Sequence, residues 1–332
     1  MFSGIKTKFK NNPSLYYAMS IAATWAGVGS LMNSITMAQS YGIVPFLMWA
    51  IGNTLACIVF GIFAPIIPHL RDVFRSKPMK MIVGFMSIFQ VWLSMNGIQS
   101  IFDGTIVGGR FGMILAYALA LFFIILLFKF GLIRNVLTDD VGWIAVYGAA
   151  IVLTVGAIVH SRGSMNPLPI GTDAASVAVG INKALLLIPG AFLYPYFFEL
   201  LDYNEKNSDG TQKVDIQRAF TVGGLLFGVY LVFAFLLAWT NFSPVLNLIK
   251  AVLVTLVGVS TLSSFLYSIY ITFGKKIGLA INIAAVASWQ FLIPLGVMGV
   301  WTLMSTIRIY IVGAAVIISL IWYAVDRRKA VR

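Results

Sequence analysis

Acidic residues are scarce in this chain: 11 Asp and Glu stand against 23 Lys and Arg in 332 residues. Cysteine is scarcer, with Cys57 alone, so neither a disulfide nor a cysteine metal site can form within the chain. No GxxxxGK[ST] loop is present to cradle ATP phosphates, and no HExxH pair to hold zinc. Charge of either sign amounts to only 10% of residues, where roughly 25% is usual in soluble domains. These absences exclude a disulfide scaffold, a P-loop ATPase and a charge-rich disordered chain. No enzyme activity and no cofactor is expected.

What fills the space is apolar. Hydrophobic residues make up 60% of the sequence and mean hydropathy is +0.92, against roughly 45–50% apolar in soluble domains. A single soluble core stops growing near ~250–300 residues, so this much apolar surface needs a bilayer as solvent. The chain reads as an all-α polytopic membrane protein. Runs such as LFFIILLFKF at 121–130 do not alternate as outer-membrane strands do.

About 20 apolar residues cross a bilayer core. Ten segments meet that length: 15–39, 42–69, 79–102, 111–133, 141–161, 183–203, 217–240, 245–273, 276–296 and 298–325. The first is too long for a signal-peptide core and lacks a clear cleavage site, so it is expected to be the first mature helix. Ten spans place both termini on one side. That side holds 18 of the 23 basic residues, among them Lys6, Lys8 and Lys10, Arg71 to Lys80, Lys206 to Arg218, and Arg327 to Arg332. The exceptions are Arg110, Arg162, Lys183, Lys250 and Arg308. The positive-inside rule then predicts a plasma (inner) membrane protein with both termini cytoplasmic. The net charge of +12 is thus an orientation signal, and no nucleic-acid partner is expected.

The polar stretch 161–182 divides the spans five and five. An odd number per half inverts the second half relative to the first, which is the geometry of inverted-topology repeats. The expected division is 1–162 for the first five-helix repeat, 163–181 for an extracellular connection, and 182–332 for the second repeat and tail. Helix 1 and helix 6 are each broken: by Ala26-Gly27-Val28-Gly29-Ser30 in the first, and by Ile188-Pro189-Gly190-Ala191, with Pro195 following, in the other. Glycine tolerates unusual dihedrals and proline deletes a backbone donor. Unwound backbone at membrane depth persists only where it lines a cavity or is buried in protein. Matched breaks in two halves therefore point to a midplane binding site.

The eighth span carries VGVSTLSS at 257–264. Hard cations such as Na⁺ prefer oxygen ligands, which adjacent hydroxyls and freed backbone carbonyls supply without a buried fixed charge. Such hydroxyls also bond to their own helix or glue helices together.

Five plus five spans, broken first and sixth helices and Ser-Thr in the eighth resemble the leucine-transporter fold of the amino acid–polyamine–cation superfamily. Ala22-Ala23-Thr24-Trp25, Gly29-Ser30 and Tyr41-Gly42, with Ser260-Thr261-Leu262-Ser263, resemble the sodium–solute symporter family. Trp25, the 39–42 end, Gly52-Asn53, and Trp92 with Asn96 resemble nucleobase–cation symporters. The resemblance implies Na⁺ held by the side chains of Ser260 and Thr261 and by carbonyls near Ala22, Trp25 and Val257.

The candidate substrate contacts are Val28, Gly29 and Ser30 at the first break, and Gly190, Phe192 and Tyr194 at the second. The third span adds Trp92, Asn96 and Gln99; Trp92 and Asn96 share a helix face. Arg308 lies about ten residues into the tenth span, ~15 Å deep at 1.5 Å per residue. A guanidinium there should face water or a partner, and Glu199 is the candidate partner in a cytoplasmic gate. Arg308 could instead contact an anionic substrate or occupy a second cation's place. Lys183 and Lys250 are expected to snorkel, and Trp49 to be an ordinary packing residue. The expectation is a Na⁺-coupled symporter of a small polar solute, nucleobase or amino acid, working as a monomer in the lipid bilayer, with an oligomer left open. A proton-coupled transporter of the same fold and a transport-inactive receptor or scaffold are the alternatives.

Overall fold

A computed structural model of the chain describes residues 13–130, 151–159 without 153 and 157, 167–201 without Pro195 and Glu199, 215–240 and 243–330. Bilayer hydrocarbon offers no partner for backbone N–H or C=O, so apolar chain satisfies itself as helix. Eleven helices are described: α1 Pro13–Trp25, α2 Val28–Thr36, α3 Ile43–Ile66, α4 Leu70–Arg75, α5 Lys77–Asp103, α6 Gly108–Phe130, α7 Ala174–Leu187, α8 Ile216–Trp239, α9 Pro244–Phe273, α10 Lys275–Ser288 and α11 Gly296–Ala330. Among the described residues, seven helical segments are long and apolar enough to cross a membrane. The protein is all-α and built for a membrane.

These seven segments overlap the expected second, third, fourth, sixth, seventh and eighth spans, with the ninth and tenth in one continuous segment, Lys275–Arg328; the expected fifth, 141–161, lies mostly outside the described residues. The first span is split at 26–27 into α1 and α2 and ends in a π-helical turn, Met37–Tyr41. The sixth runs from α7 into a 3₁₀ turn, Ile188–Leu193, with Pro189 in its first turn. In the ninth span, α10 gives way to a 3₁₀ segment, Trp289–Leu295, around Pro294. Proline cannot donate to the helix ladder, so helix winding changes at both sites. Three helix starts carry side-chain caps: Asp173 accepts from the Ser176 amide, Asp215 from the Arg218 amide and Ser243 from the Leu246 amide.

Helix α7 begins at Ala174, inside the stretch expected as connection. The residues before it pack on the start of α3. Pro169 and Ile170 carbonyls accept from the Ile43 and Val44 amides at 2.9 and 3.0 Å, supplying partners to first-turn donors that a helix cannot satisfy itself. Gly42 sits between at φ +109, where a Cβ would fall 2.6 Å from the Pro169 oxygen. Only glycine fits that junction.

Helices α5 and α9 lie side by side. Around them, α1 packs on α8, α3 on α7, α3 on α8, α5 on α6, and α9 on α10. Glycines allow these approaches: Gly223 faces Ala18 and Ile21, Gly52 faces Ala184, and Gly61 faces Phe220. Small residues at crossings are what helix association in lipid requires, since burial of apolar surface drives nothing there. Helix α11 lies across α5, α2 and the 3₁₀ turn at Ile188–Leu193. Both helix breaks thereby come to the centre.

Candidate functional site at the two helix breaks

At the first break, Ala26 and Gly27 leave the helix. Ser30 stabilises the restart: its hydroxyl accepts from the Gly27 amide at 3.0 Å and donates to the Gly27 carbonyl at 2.8 Å. Across the gap, Thr261 on α9 donates to the Ala26 carbonyl at 2.8 Å and reaches the Ala23 carbonyl at 3.4 Å. A Cβ on Gly27 would meet the Thr261 methyl at 3.0 Å, so this close approach depends on glycine. Two carbonyl oxygens and one hydroxyl therefore converge where the helix is interrupted. That donor set suits a hard monovalent cation, with the hydroxyl proton turned away. Ser264, one turn along α9, has a buried hydroxyl without a hydrogen-bond partner among the described residues, as has Thr24 on α1.

The break is braced against α3. Trp25 Nε1 donates to Asn53 Oδ1 at 3.2 Å, Asn53 Nδ2 donates to the Trp49 carbonyl at 3.0 Å, and Trp49 Nε1 donates to Ser34 Oγ at 2.8 Å. At the second break, Tyr194 accepts from Gln90 Nε2 at 3.1 Å. Its ring lies 5.1 Å from Trp25, 5.1 Å from Phe197 and 4.9 Å from Phe265. On the side of Phe197, Ser20 of α1 and Tyr196 share a 2.7 Å hydrogen bond that ties the two interrupted spans together. The Arg308 guanidinium, 3% exposed, sits 5.9 Å from the Tyr194 ring centroid. Gly190 makes room for both Trp25 and Arg308: a Cβ there would be 2.9 Å from the indole and 3.3 Å from Nη1.

These groups surround a cavity of about 40 Å³. It admits water or an ion, far below the roughly 300–1,000 Å³ of a formed small-molecule pocket. A larger recess of about 280 Å³ lies towards the other end of the same helices, lined by Met32, Gln39, Ser100, Thr240, Asn247 and Lys250. Along α5, Ser100 in the recess is ~9 Å from the level of Ser94 in the cavity at 1.5 Å per residue. Between them Val28 packs against Gly97 and Gly258, each one turn from Ser94 and Thr261 respectively. Val28 lines neither space and packs between α5 and α9 at this level.

Of the expected contacts, Gly29, Ser30, Tyr194, Trp25, Thr261 and Arg308 line the central cavity, and Gly190 backs it. Four do not. Val28 packs against Gly97 and Gly258; Phe192 packs on Phe60 at 5.1 Å; Trp92 donates to the Ala285 carbonyl of α10 at 2.8 Å; and Asn96 accepts from Ser100 at 3.3 Å. Gln99 is outside both spaces. The Ala22 carbonyl accepts from the Ala26 amide at 2.8 Å, which leaves the Ala23 and Ala26 carbonyls facing Thr261. Glu199 and Pro195 lie outside the described residues, as do the side chains of Val257 and Ser260. Sequence reasoning passed over Trp49 and Trp301, whose rings meet at 4.6 Å in the cavity wall. It also set Lys183 aside as a snorkelling residue, whereas Lys183 donates to Thr302 at 2.7 Å and lies 5.3 Å from the Trp301 ring centroid. The signal for these was weak: an aromatic in a membrane span looks the same whether it faces lipid or a cavity.

No protein-family model matches the chain, and no curated protein matches it.

Proposed function

We propose that the protein is a Na⁺-coupled secondary transporter of a small polar solute, built as two inverted five-span repeats and working by alternating access. The observation that carries this reading is the meeting of the Thr261 hydroxyl with the Ala23 and Ala26 carbonyls at the interrupted first helix. A cation bound there bridges a moving helix to α9, and so responds to the position of both.

The helix neighbours support the repeat. Shifting by five spans turns the α1–α8 pair into the α7–α3 pair, and the α5–α6 pair into α9–α10; the α5–α9 and α3–α8 pairs map onto themselves. With both termini cytoplasmic, the recess at Gln39, Asn247 and Lys250 is the outer vestibule. Tyr194, stacked on Phe197 and edge-on to Phe265, closes the inner side in this reading. The state described is then closed inside. Na⁺ drives transport only if it prefers the state that receives solute; such couplings are typically about 1–3 kcal/mol.

The test is uptake into proteoliposomes of a panel of radiolabelled polar solutes under an imposed inward Na⁺ gradient. The reading expects accumulation of at least one solute, collapsing when the gradient is dissipated and lost in Thr261→Val. Accumulation driven equally by a proton gradient without Na⁺ would assign proton coupling. Absence of all uptake would favour a receptor or scaffold.

A further inference from the structure

We propose that the solute carries a carboxylate, and that Arg308 is the residue that holds it. This rests on the transporter reading and narrows its substrate to small organic acids. Arg308 is buried, 3% exposed, a little past one third of the way along α11. Its one hydrogen bond among the described residues runs from Nη2 to the Met304 sulfur at 3.1 Å, and Nε has none. A thioether is a weak acceptor, and a guanidinium has five N–H groups to satisfy. The described acidic residues are Asp72, Asp103, Asp173, Asp215 and Asp326, all at or near helix ends. No acidic residue is among the described residues lining the cavity. Among the described residues of its lining, the cavity carries the fixed charge of Arg308 alone.

The remaining polar groups have the matching polarity. Tyr194 accepts from Gln90, which leaves its own proton to donate beside the guanidinium. Arg308 and Tyr194 thus offer donors to the same point. A carboxylate accepts from both and takes two parallel bonds from the guanidinium fork. A carboxamide turns an NH₂ towards the fork and loses the charge-assisted pair. The cavity's 40 Å³ matches a head group alone, and Trp25, Trp49 and Trp301 in its wall present apolar surface to the rest of the solute once the cavity opens.

The experiment is thermal-shift and calorimetric binding on the purified full-length protein, in sodium or choline sulfate. The probes are matched pairs: acetate and acetamide, benzoate and benzamide, nicotinate and nicotinamide, glycine and glycinamide. The expected result is stabilisation by at least one carboxylate and none by its amide, with affinity at least 100-fold weaker in Arg308→Gln, partly restored in Arg308→Lys, and about tenfold weaker in Tyr194→Phe. Size-exclusion profiles check that each variant folds; Tyr194→Phe keeps the charge and gives a reading even if Arg308→Gln fails. The proposal is overturned if amides bind as well as carboxylates, if Arg308→Gln keeps carboxylate affinity, or if no carboxylate binds. It is equally overturned if Glu199→Gln and Arg308→Gln destabilise alike and the parent binds no carboxylate, which assigns a fixed ion pair. Carboxylate binding that depends on Arg308 but is the same in choline supports the proposal and sinks Na⁺ coupling. Na⁺-dependent binding of amides alone does the reverse.

Discussion

Replacing Thr261 with valine keeps the branched shape of the side chain and removes one oxygen. In the parent protein that hydroxyl donates to the Ala26 carbonyl at 2.8 Å, in a site where Thr261 is 4% exposed. Its loss leaves a buried carbonyl without a partner at the helix break, a cost of about 1–3 kcal/mol. If the same oxygen is a cation ligand, the penalty appears a second time in Na⁺ affinity, where each 1.4 kcal/mol is about tenfold. We therefore expect Thr261→Val to be folded, somewhat less stable, and at least ~10-fold weaker for Na⁺. Thr261→Ser keeps the oxygen and should hold Na⁺ close to the parent level. The assay is the melting temperature of purified protein titrated with Na⁺ against choline at constant ionic strength. A Na⁺ response in Thr261→Val equal to the parent's would refute the reasoning, as would a serine variant no better than valine.

Other substitutions test other parts of the account. Gly258→Ala drives a methyl into Val28 and should cost about 1–3 kcal/mol by overpacking; adding Val28→Ala should recover most of the lost melting temperature. Gly190→Ala places a methyl 2.9 Å from Trp25 and 3.3 Å from Arg308, so solute uptake should fall while expression and fold persist. Trp92→Phe breaks the bond to Ala285 and should lower stability by about 0.5–1.5 kcal/mol without changing solute affinity. A loss of affinity with unchanged stability would return Trp92 to the binding site.

Composition alone named the solvent, and glycine and proline named the breaks. Both are backbone effects, legible because Ala26-Gly27 and Pro189-Gly190 act wherever the helix sits. Thr261 was legible for a related reason: a run of hydroxyls in an apolar span is unusual, and one of them meets the break. Helix faces were not legible. In a soluble helix, polar residues mark the outside; in lipid the exterior is as apolar as the core. The sides of α5 carrying Trp92 and Gln90 therefore looked alike, and only the fold distinguishes Gln90 beside Tyr194 from Trp92 beside Ala285. Trp49 does pack, against Trp301, but its place in the cavity wall was not legible, since an indole fits a lipid boundary and a cavity wall equally. The start of α7 was missed because 174–182 is rich in small residues with modest hydropathy, while its Asp173 cap lies in a polar stretch.

The central claim is that Na⁺ at the first break sets which way the cavity faces. It can be measured without knowing the solute. Cys57, the chain's one cysteine, is fully buried, and Cys57→Ala supplies a silent background. Ser94→Cys in that background places a thiol in the central cavity, and Asn247→Cys places one in the vestibule as a control. A membrane-impermeant thiol reagent is applied from outside intact cells, in Na⁺ or choline. Na⁺ is expected to speed labelling at position 94 several-fold, to leave position 247 unchanged, and to have no effect at 94 once Thr261 is valine. Labelling at 94 at the same rate with and without Na⁺ would contradict the claim.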